Sequence, residues 1–230
     1  MCGRYTLSVP LSNLVDAFDI ETPDFDYPLR YNIAPTQEAP VIAEDRDSRR
    51  MGLLRWGLVP SWAEDPSMGN RMINARSETA AEKPSFRGAF RKRRCIVPAD
   101  GFFEWEKRRD GEEGKSKVPH WIHRDDGEAF AMAGLWERWG GEEEALHTFT
   151  ILTTEAAPFL RRIHPRMPVV LCGESLDRWL HPDATVEDLQ SLLASLQEEC
   201  IPLQGAWTAT PVSTRVNSPR NDDPACIQKV

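Results

Sequence analysis

The residues at the amino terminus could carry out unusual chemistry. Cys2 lies between Met1 and Gly3, and removal of Met1 would leave an α-amine and a thiol on one residue. The amine can condense with an aldehyde to an imine, and the thiol can then close onto the imine carbon to give a thiazolidine. The closure is intramolecular, which favours it entropically. An α-amine has a pKa of roughly 7.7–8.0, so a nucleophilic fraction exists at neutral pH. A cysteine there by chance is the alternative, and these residues alone favour it.

Other segments place reactive side chains in settings that suit proton transfer. Glu104 lies among the aromatic residues of segment 101–105, and such surroundings raise the pKa of a carboxyl group. His164 and Arg166 are held by two nearby prolines, and an imidazole can transfer protons near neutral pH. Asn74 ends an apolar segment. Each has a structural alternative: a solvent-facing strand residue for Glu104, a structural histidine for His164, and a helix cap for Asn74.

Flat apolar side chains could stack on unpaired bases. Pro35, Trp62 and Trp105 are the candidates for such a surface. A tryptophan is more often part of the core, and we assign Trp56 to the core. The sequence contains no glycine-rich phosphate loop and no HExxH or GxSxG motif, which removes the common nucleotide-binding, metalloprotease and serine-hydrolase signatures.

The composition indicates a soluble globular protein. The chain has 230 residues, of which 40% are hydrophobic and 28% charged, the usual range for such proteins. It contains no apolar run long enough to span a bilayer and no signal peptide, so we expect a cytoplasmic protein without membrane contact. The five cysteines are odd in number, scattered and never in CxxC spacing. We therefore expect no disulfide framework and no zinc site. We also expect no cofactor.

The distribution of charge allows nucleic-acid binding although the net charge does not suggest it. The net charge is −8, which disfavours a nucleic-acid partner. Basic residues nevertheless cluster at 87–94 and 161–166, away from the acidic runs. A surface divided in this way can bind phosphate on one face. The run at 91–94 also fits the end of a helix, where the negative pole attracts cations, and both interpretations stay open here.

Apolar periodicity predicts the elements that must position these residues. Helices are predicted over 11–18, 77–82, 85–93, 156–163, 175–180 and 186–197. Strands are predicted over 40–43, 51–58, 95–98, 102–107, 118–123, 129–136, 147–154, 169–171 and 207–212. A charged loop over 108–117 joins two of the strands. Because most strands follow one another as hairpins, we expect one α+β domain over 1–230, with a mainly antiparallel, barrel-like β core and flanking helices.

Six motifs in a fixed order resemble the SOS response-associated peptidase family. They are Cys2-Gly3-Arg4 and the segments 31–36, 55–62, 74–79, 94–105 and 164–168. The tail residues 211–213 and 216–217 are also similar to the family's ending, so the resemblance covers nearly the whole chain. Ala63 follows Trp62 where some members carry a second tryptophan, which implies a smaller stacking surface here.

The resemblance implies a sensor and shield of abasic sites in single-stranded DNA. Such a protein removes its own Met1 as an autoprocessing cysteine peptidase and then forms a thiazolidine crosslink through Cys2, a lyase-like activity. Asn74 would hold the amine, and Glu104 would move protons for crosslinking, its reversal and Met1 removal. His164 would assist imine formation and opening of the sugar ring.

The resemblance also implies a set of DNA contacts. The residues expected at the DNA backbone are Arg4, Asn32, Arg76 and Arg166, and those expected at the bases are Pro35, Trp62 and Trp105. The expected partner is single-stranded DNA containing abasic sites, bound by a monomer that joins the nucleoid when on DNA. The sequence identifies no replication-fork partner. Two alternatives stay open: a cysteine peptidase acting in trans, and a non-covalent single-stranded DNA-binding module.

Overall fold

A computed structural model describes residues 2–44, 48–107, 117–141, 145–203 and 206–230. The strands are β1 Tyr5–Leu7, β2 Arg30–Ile33, β3 Glu38–Glu44, β4 Arg49–Trp56, β5 Asn74–Arg76, β6 Arg94–Ala99, β7 Gly101–Glu106, β8 Val118–Arg124, β9 Phe130–Trp139, β10 Leu146–Glu155, β11 Arg166–Pro168, β12 Val170–Leu171 and β13 Trp207–Pro211. The helices are α1 Leu11–Phe18, α2 Ser77–Ala80, α3 Arg87–Lys92, α4 Glu174–Leu180 and α5 Val186–Leu203.

The centre of the molecule is a closed barrel. Strand β3 pairs with β4 and β6, β6 pairs with β9, and β9 pairs with β10, all antiparallel. A parallel pairing of β10 with β4 closes the ring. Closure satisfies the edge hydrogen bonds that an open sheet would expose. The predicted α+β class with a mainly antiparallel, barrel-like core is therefore confirmed.

A second antiparallel sheet lies beside the barrel in the order β13-β8-β7-β1-β2. The Trp121 side chain packs directly over Gly101 of β7, where an added Cβ would lie 2.0 Å from the indole nitrogen. Glycine is therefore required at this position by close approach rather than by backbone conformation. Because β1 pairs with β7, the chain that precedes β1 runs alongside the strand that carries Glu104.

Two short strands extend one end of β10. Strand β5 runs parallel to β10, with Asn74 opposite Ile151, and β11 runs antiparallel to it, with Arg166 opposite Glu155. Three or four residues show too little periodicity for recognition in the sequence. Strands β1, β2 and β11 were not predicted, and of β5 only the end of an apolar strand at Asn74 was expected. These strands nevertheless bring distant motifs to one place.

The basic run at 91–94 contributes to the structure. The buried Arg94 guanidinium donates to the carbonyl oxygens of Phe90, Arg91 and Trp179 at 3.1, 2.6 and 2.7 Å. It thereby satisfies carbonyls at the ends of α3 and α4. Arg93 pairs with the buried Glu137 at 2.6 Å. The contacts of Arg94 favour the helix-end interpretation, and the ion pair with Glu137 gives Arg93 a structural role.

Two predictions from the sequence are wrong. Segment 156–163 forms turns rather than a helix, because only six residues lie between Pro158 and Pro165 and helix nucleation is unfavourable over so short a span. Cys172 and Cys200 form a disulfide with a Cα–Cα distance of 5.4 Å, although no disulfide was expected. The hairpin of α4 and α5 brings them together, and cysteine spacing gives no sign of this.

The predicted loop at 108–117 lies outside the described residues except for Lys117. Within the described ranges, no helix is long and apolar enough to cross a membrane.

Candidate active site

The amide of Asn74 holds the backbone at Cys2. Its Nδ2 donates to the Cys2 carbonyl oxygen at 2.7 Å. Its Oδ1 is buried and accepts no hydrogen bond from the described residues. Pairing of β5 with β10 fixes the position of Asn74. The structure thus leaves one buried acceptor of Asn74 beside the residue whose amine was predicted to react.

The Cys2 thiol is fully buried. Its Sγ donates to the Arg4 carbonyl oxygen at 3.6 Å, a weak hydrogen bond because a thiol is a weak donor. Burial raises the pKa of the Cys2 thiol well above its ordinary value, and the negative charge of Glu104 raises it further. The sulfur is therefore a neutral thiol at physiological pH, unlike the thiolates of low-pKa reactive cysteines.

Glu104 points into the protein rather than to solvent. The residue is 4% exposed, and burial raises its pKa from 4.5 to about 7. Removing a carboxylate from water disfavours its charged form. Glu104 can therefore both donate and accept a proton close to neutral pH.

His164 lies next to Glu104, with its Nδ1 3.6 Å from the carboxyl Oε1. The same Nδ1 lies 3.1 Å from the Arg166 N–H, which can donate to it, and 3.0 Å from the Arg166 carbonyl, which can accept from it. Burial lowers the pKa of His164 below 6.5, so the neutral imidazole predominates at pH 7. A neutral imidazole beside a carboxyl group with a pKa of about 7 can exchange protons with it.

The structure therefore brings the four predicted catalytic residues together. They come from the chain before β1, from β5, from β7 and from the segment before β11. Together they provide a thiol, a backbone site held by an amide, and two groups that transfer protons near pH 7. This arrangement can form and break bonds at the Cys2 nitrogen and sulfur.

Arg4 and Trp105 both contact Asn217 of the carboxy-terminal segment, residues 212–230. Trp105 Nε1 donates to Asn217 Oδ1 at 2.7 Å, and Arg4 Nη2 donates to the Asn217 carbonyl oxygen at 3.4 Å. Arg4 is half-buried and pairs with no carboxylate among the described residues. Burial lowers its pKa, yet a guanidinium remains charged. A half-buried cation without an acidic partner is suited to an anion from outside.

The other two predicted arginines differ in their surroundings. Arg76 is exposed at the end of β5. Arg166 donates to both carboxylate oxygens of Glu78 at 2.6 and 2.9 Å and also to the Thr153 carbonyl. The hydrogen bonds from Arg166 hold the pKa of Glu78 below its usual range. A phosphate that binds Arg166 has to compete with Glu78.

The predicted stacking residues differ in exposure. Trp62 is 56% exposed and borders an open cleft of about 760 Å³ that Met68, Arg71 and Met72 also line. Pro35 and Trp105 are half-buried. Trp56, assigned to the core from the sequence, is fully buried. Trp62 is thus the most exposed of the three stacking candidates.

Asn32 lies in a different setting from the one predicted. Its side chain is fully buried, and its Nδ2 donates to the carbonyl oxygens of Val216, Ser218 and Asn221 at 3.2, 3.0 and 2.7 Å. These bonds tie β2 to the carboxy-terminal segment. Burial therefore favours a structural role for Asn32 over the predicted contact with DNA.

Sequence reasoning missed three residues near the site. Glu78 pairs with Arg166, Asn217 contacts Arg4 and Trp105, and the charge of Lys117 opposes the effect of burial on the pKa of Glu104. Asn217 belongs to the tail motif that contributed to the family resemblance, so that motif was its only signal. Glu78 belongs to the motif at 74–79, which was likewise its only signal. Nothing in the sequence indicates that Lys117 lies near the site.

Comparisons with known proteins identify the family of the chain. The family model described as SOS response associated peptidase (SRAP) matches residues 1–219. The chain is 43% identical over 232 residues to the abasic site processing protein YoqW of Bacillus subtilis, covering 99% of both chains. It is 44% identical over 226 residues to the abasic site processing protein YoaM of the same organism, covering 96% of this chain and 95% of the relative.

A solved structure supports the fold as well. A protein from Bacteroides thetaiotaomicron superposes with a TM-score of 0.80 over 100% of both chains, at 27% identity. The barrel and the adjoining sheet are therefore an architecture already seen by crystallography.

Proposed function

This chain belongs to the SOS response-associated peptidase family, and we propose that it processes abasic sites in single-stranded DNA by a covalent crosslink through Cys2. Its relatives are abasic site processing proteins. The observation that carries the proposal is the Asn74 amide at Cys2. One of its atoms binds the Cys2 carbonyl at 2.7 Å, and the other is a buried acceptor without a partner among the described residues.

The first step is hydrolysis of the Met1–Cys2 peptide bond. Glu104 as a carboxylate removes a proton from the attacking water, because its pKa of about 7 leaves a large ionised fraction at neutral pH. The water oxygen bonds to the methionine carbonyl carbon, the C–N bond breaks, and Glu104 passes its proton to the leaving nitrogen, which becomes the α-amine of Cys2. The new amine can donate to Asn74 Oδ1, which satisfies that buried acceptor.

The second step joins the protein to the lesion. An abasic deoxyribose in its ring-opened form presents an aldehyde, and the Cys2 amine adds to the aldehyde carbon. Loss of one water gives an imine, and protonated Glu104 and neutral His164 provide the proton transfers. The Cys2 S–H then adds across the imine: sulfur bonds to carbon and the proton passes to nitrogen. Aldehyde and aminothiol thus become a thiazolidine and one water, without oxidant or metal.

The state of the thiol argues against a peptidase acting in trans. Such an enzyme attacks its substrate with a cysteine thiolate activated by a base or by a lowered pKa. In this chain, burial and the charge of Glu104 raise the pKa of the Cys2 thiol. Ring closure by contrast needs only a thiol beside an imine, because the reacting atoms belong to one residue. The chemistry therefore favours reaction at the chain's own terminus.

The surface around the site suits a single strand of DNA. Arg4 provides a half-buried positive charge without an acidic partner in the described part of the chain, Arg76 is exposed, and Trp62 offers an open aromatic face. Arginines bind phosphates, and aromatic rings stack on unpaired bases. Because the whole protein carries a net charge of −8, non-covalent binding is expected to be weak and sensitive to salt. The covalent bond then provides a long residence time.

A gel assay tests this proposal. The protein is incubated with a single strand that carries an abasic aldehyde, and adducts are separated in SDS. We expect an SDS-stable adduct that Cys2→Ala abolishes and that Cys226→Ala, a change at another buried free cysteine, leaves intact. An undiminished adduct with Cys2→Ala would overturn the proposal. Tight binding to undamaged strands without an adduct would favour the non-covalent module.

A further inference from the structure

The carboxy-terminal segment is packed separately from the main core. Phe103, Val212, Val216 and Cys226 form a second, small hydrophobic cluster against which Trp105 packs. Three carbonyls of the segment accept from the buried Asn32. Asp222 accepts from the backbone N–H groups at positions 31 and 32 at 2.6 and 2.9 Å. These contacts hold the segment firmly against β2 and β7.

The segment presents Asn217 on the outside of the molecule. Asn217 ends a 3₁₀ turn and is exposed. Its Oδ1 accepts from the Trp105 indole at 2.7 Å, while its backbone carbonyl lies 3.4 Å from Arg4 Nη2. An indole N–H can only donate, so the amide oxygen has to face Trp105 and the amide nitrogen points away from it. One residue thus contacts both an aromatic and a cationic candidate for DNA binding.

The fold itself does not need the bond from Trp105 to Asn217. The bond joins two side chains at the surface, where water replaces a lost partner at little cost in stability. Asn32, Asp222 and the second hydrophobic cluster already hold the segment. What the bond does restrict is the orientation of the Trp105 ring. Restricting a ring before binding removes part of the entropy loss that a ligand would otherwise cause.

We infer that Asn217 is a positioning residue for nucleic-acid binding. It orients the Trp105 ring toward a base beside the lesion and holds the ring at a fixed position relative to Arg4. The ligand is an unpaired base on the ring with its phosphate on the guanidinium, a combination typical of single-strand binding. This inference rests on the proposed function. It adds to that function a residue that acts through Trp105 rather than on the reacting atoms.

A double-mutant cycle tests the inference. The probe is a single strand that carries a tetrahydrofuran abasic analogue, which has no aldehyde and cannot form a crosslink, and binding is measured by fluorescence anisotropy. Asn217→Ala should weaken binding about fivefold, the loss expected for one hydrogen bond, with an unchanged urea midpoint. In a Trp105→Phe background, which keeps a ring but lacks the N–H, Asn217→Ala should have little further effect. Ser218→Ala, next to it in the segment, is the matched control and should bind as wild type.

Other results would overturn the inference. Unchanged binding by Asn217→Ala would show that the bond does not serve DNA, and an equal loss in both backgrounds would show that Asn217 does not act through Trp105. A loss of binding that accompanies a lowered urea midpoint would assign it a structural role. Because the analogue cannot react, these outcomes are independent of the crosslink. Absence of an adduct between wild type and an aldehyde strand would instead contradict the proposed function.

Discussion

Replacing Glu104 by glutamine should stabilise the protein, and by an amount that depends on pH. The folded protein holds this carboxyl group 4% exposed, with a pKa of about 7 in place of 4.5. A difference of this size corresponds to about 3 kcal/mol. Glutamine has the shape of the protonated acid and no charge to bury. The wild type therefore carries a penalty that Glu104→Gln removes.

The direction in which the stability difference changes with pH follows from protonation of Glu104 in the folded and in the unfolded chain. Below pH 4.5 the carboxyl is protonated in the folded and unfolded chains alike, so the acid and the amide differ little in their effect on stability. Between pH 4.5 and 7 the unfolded chain ionises first, and the wild type loses stability as the pH rises. Above pH 7 both states are ionised and the penalty is constant. The advantage of the variant should thus grow from near zero at pH 4 to about 3 kcal/mol at pH 8.

Urea unfolding at a series of pH values measures this difference. Glu64→Gln, a change at an exposed acid, is the control and should show no comparable dependence on pH. Equal stability of wild type and Glu104→Gln at pH 8, or an advantage that grows toward low pH, would refute the reasoning. We expect the same variant to remove Met1 and to form the crosslink more slowly. A gain in stability with a loss of activity is typical of a residue retained for function.

Further predictions concern Asn74, Asn32 and Arg76. Asn74→Ala should slow loss of Met1 at least about tenfold, because a misplaced scissile bond loses much of its orientation advantage; intact-mass time courses measure this, and a wild-type rate would contradict it. Asn32→Ala should lower the free energy of unfolding by about 3 kcal/mol through the loss of three hydrogen bonds. A change near zero in urea titrations would instead favour the predicted contact of Asn32 with DNA. Arg76→Ala should reduce the slope of the logarithm of the DNA association constant against the logarithm of the salt concentration by about 0.7. Arg87→Ala, a change at another exposed arginine, should leave this slope unchanged. An unchanged slope with Arg76→Ala would give Arg76 a structural role.

The barrel was largely predictable because its strands carry a local signal. Strands β6, β9 and β10 are runs of apolar and β-branched residues bounded by turns, which the sequence displays directly. The convergence of Asn74 and His164 depends instead on β5 and β11. Each of these is three residues long and is placed by pairing with β10. Pairing between distant segments leaves no periodic trace in such short strands.

The residue types at the site were easier to predict than their directions. The amide of Asn32 was assigned to DNA, yet its direction is decided by carbonyls about 190 residues later in the chain. The sequence also left open whether the carboxyl of Glu104 faces solvent or the interior. Pairing of β7 with both β1 and β8 places it inside. Alternation along one strand cannot identify which face is buried.

The intact mass of the protein tests the central claim most directly. Purified protein is measured alone, after incubation with a strand that carries an abasic aldehyde, and after incubation with the same strand carrying the tetrahydrofuran analogue. The proposal predicts a protein lighter by one methionine residue, and with the aldehyde strand a further species equal to protein plus DNA minus one water. An adduct heavier than this by one methionine residue, or a species of the expected mass with the analogue, would contradict a thiazolidine at Cys2.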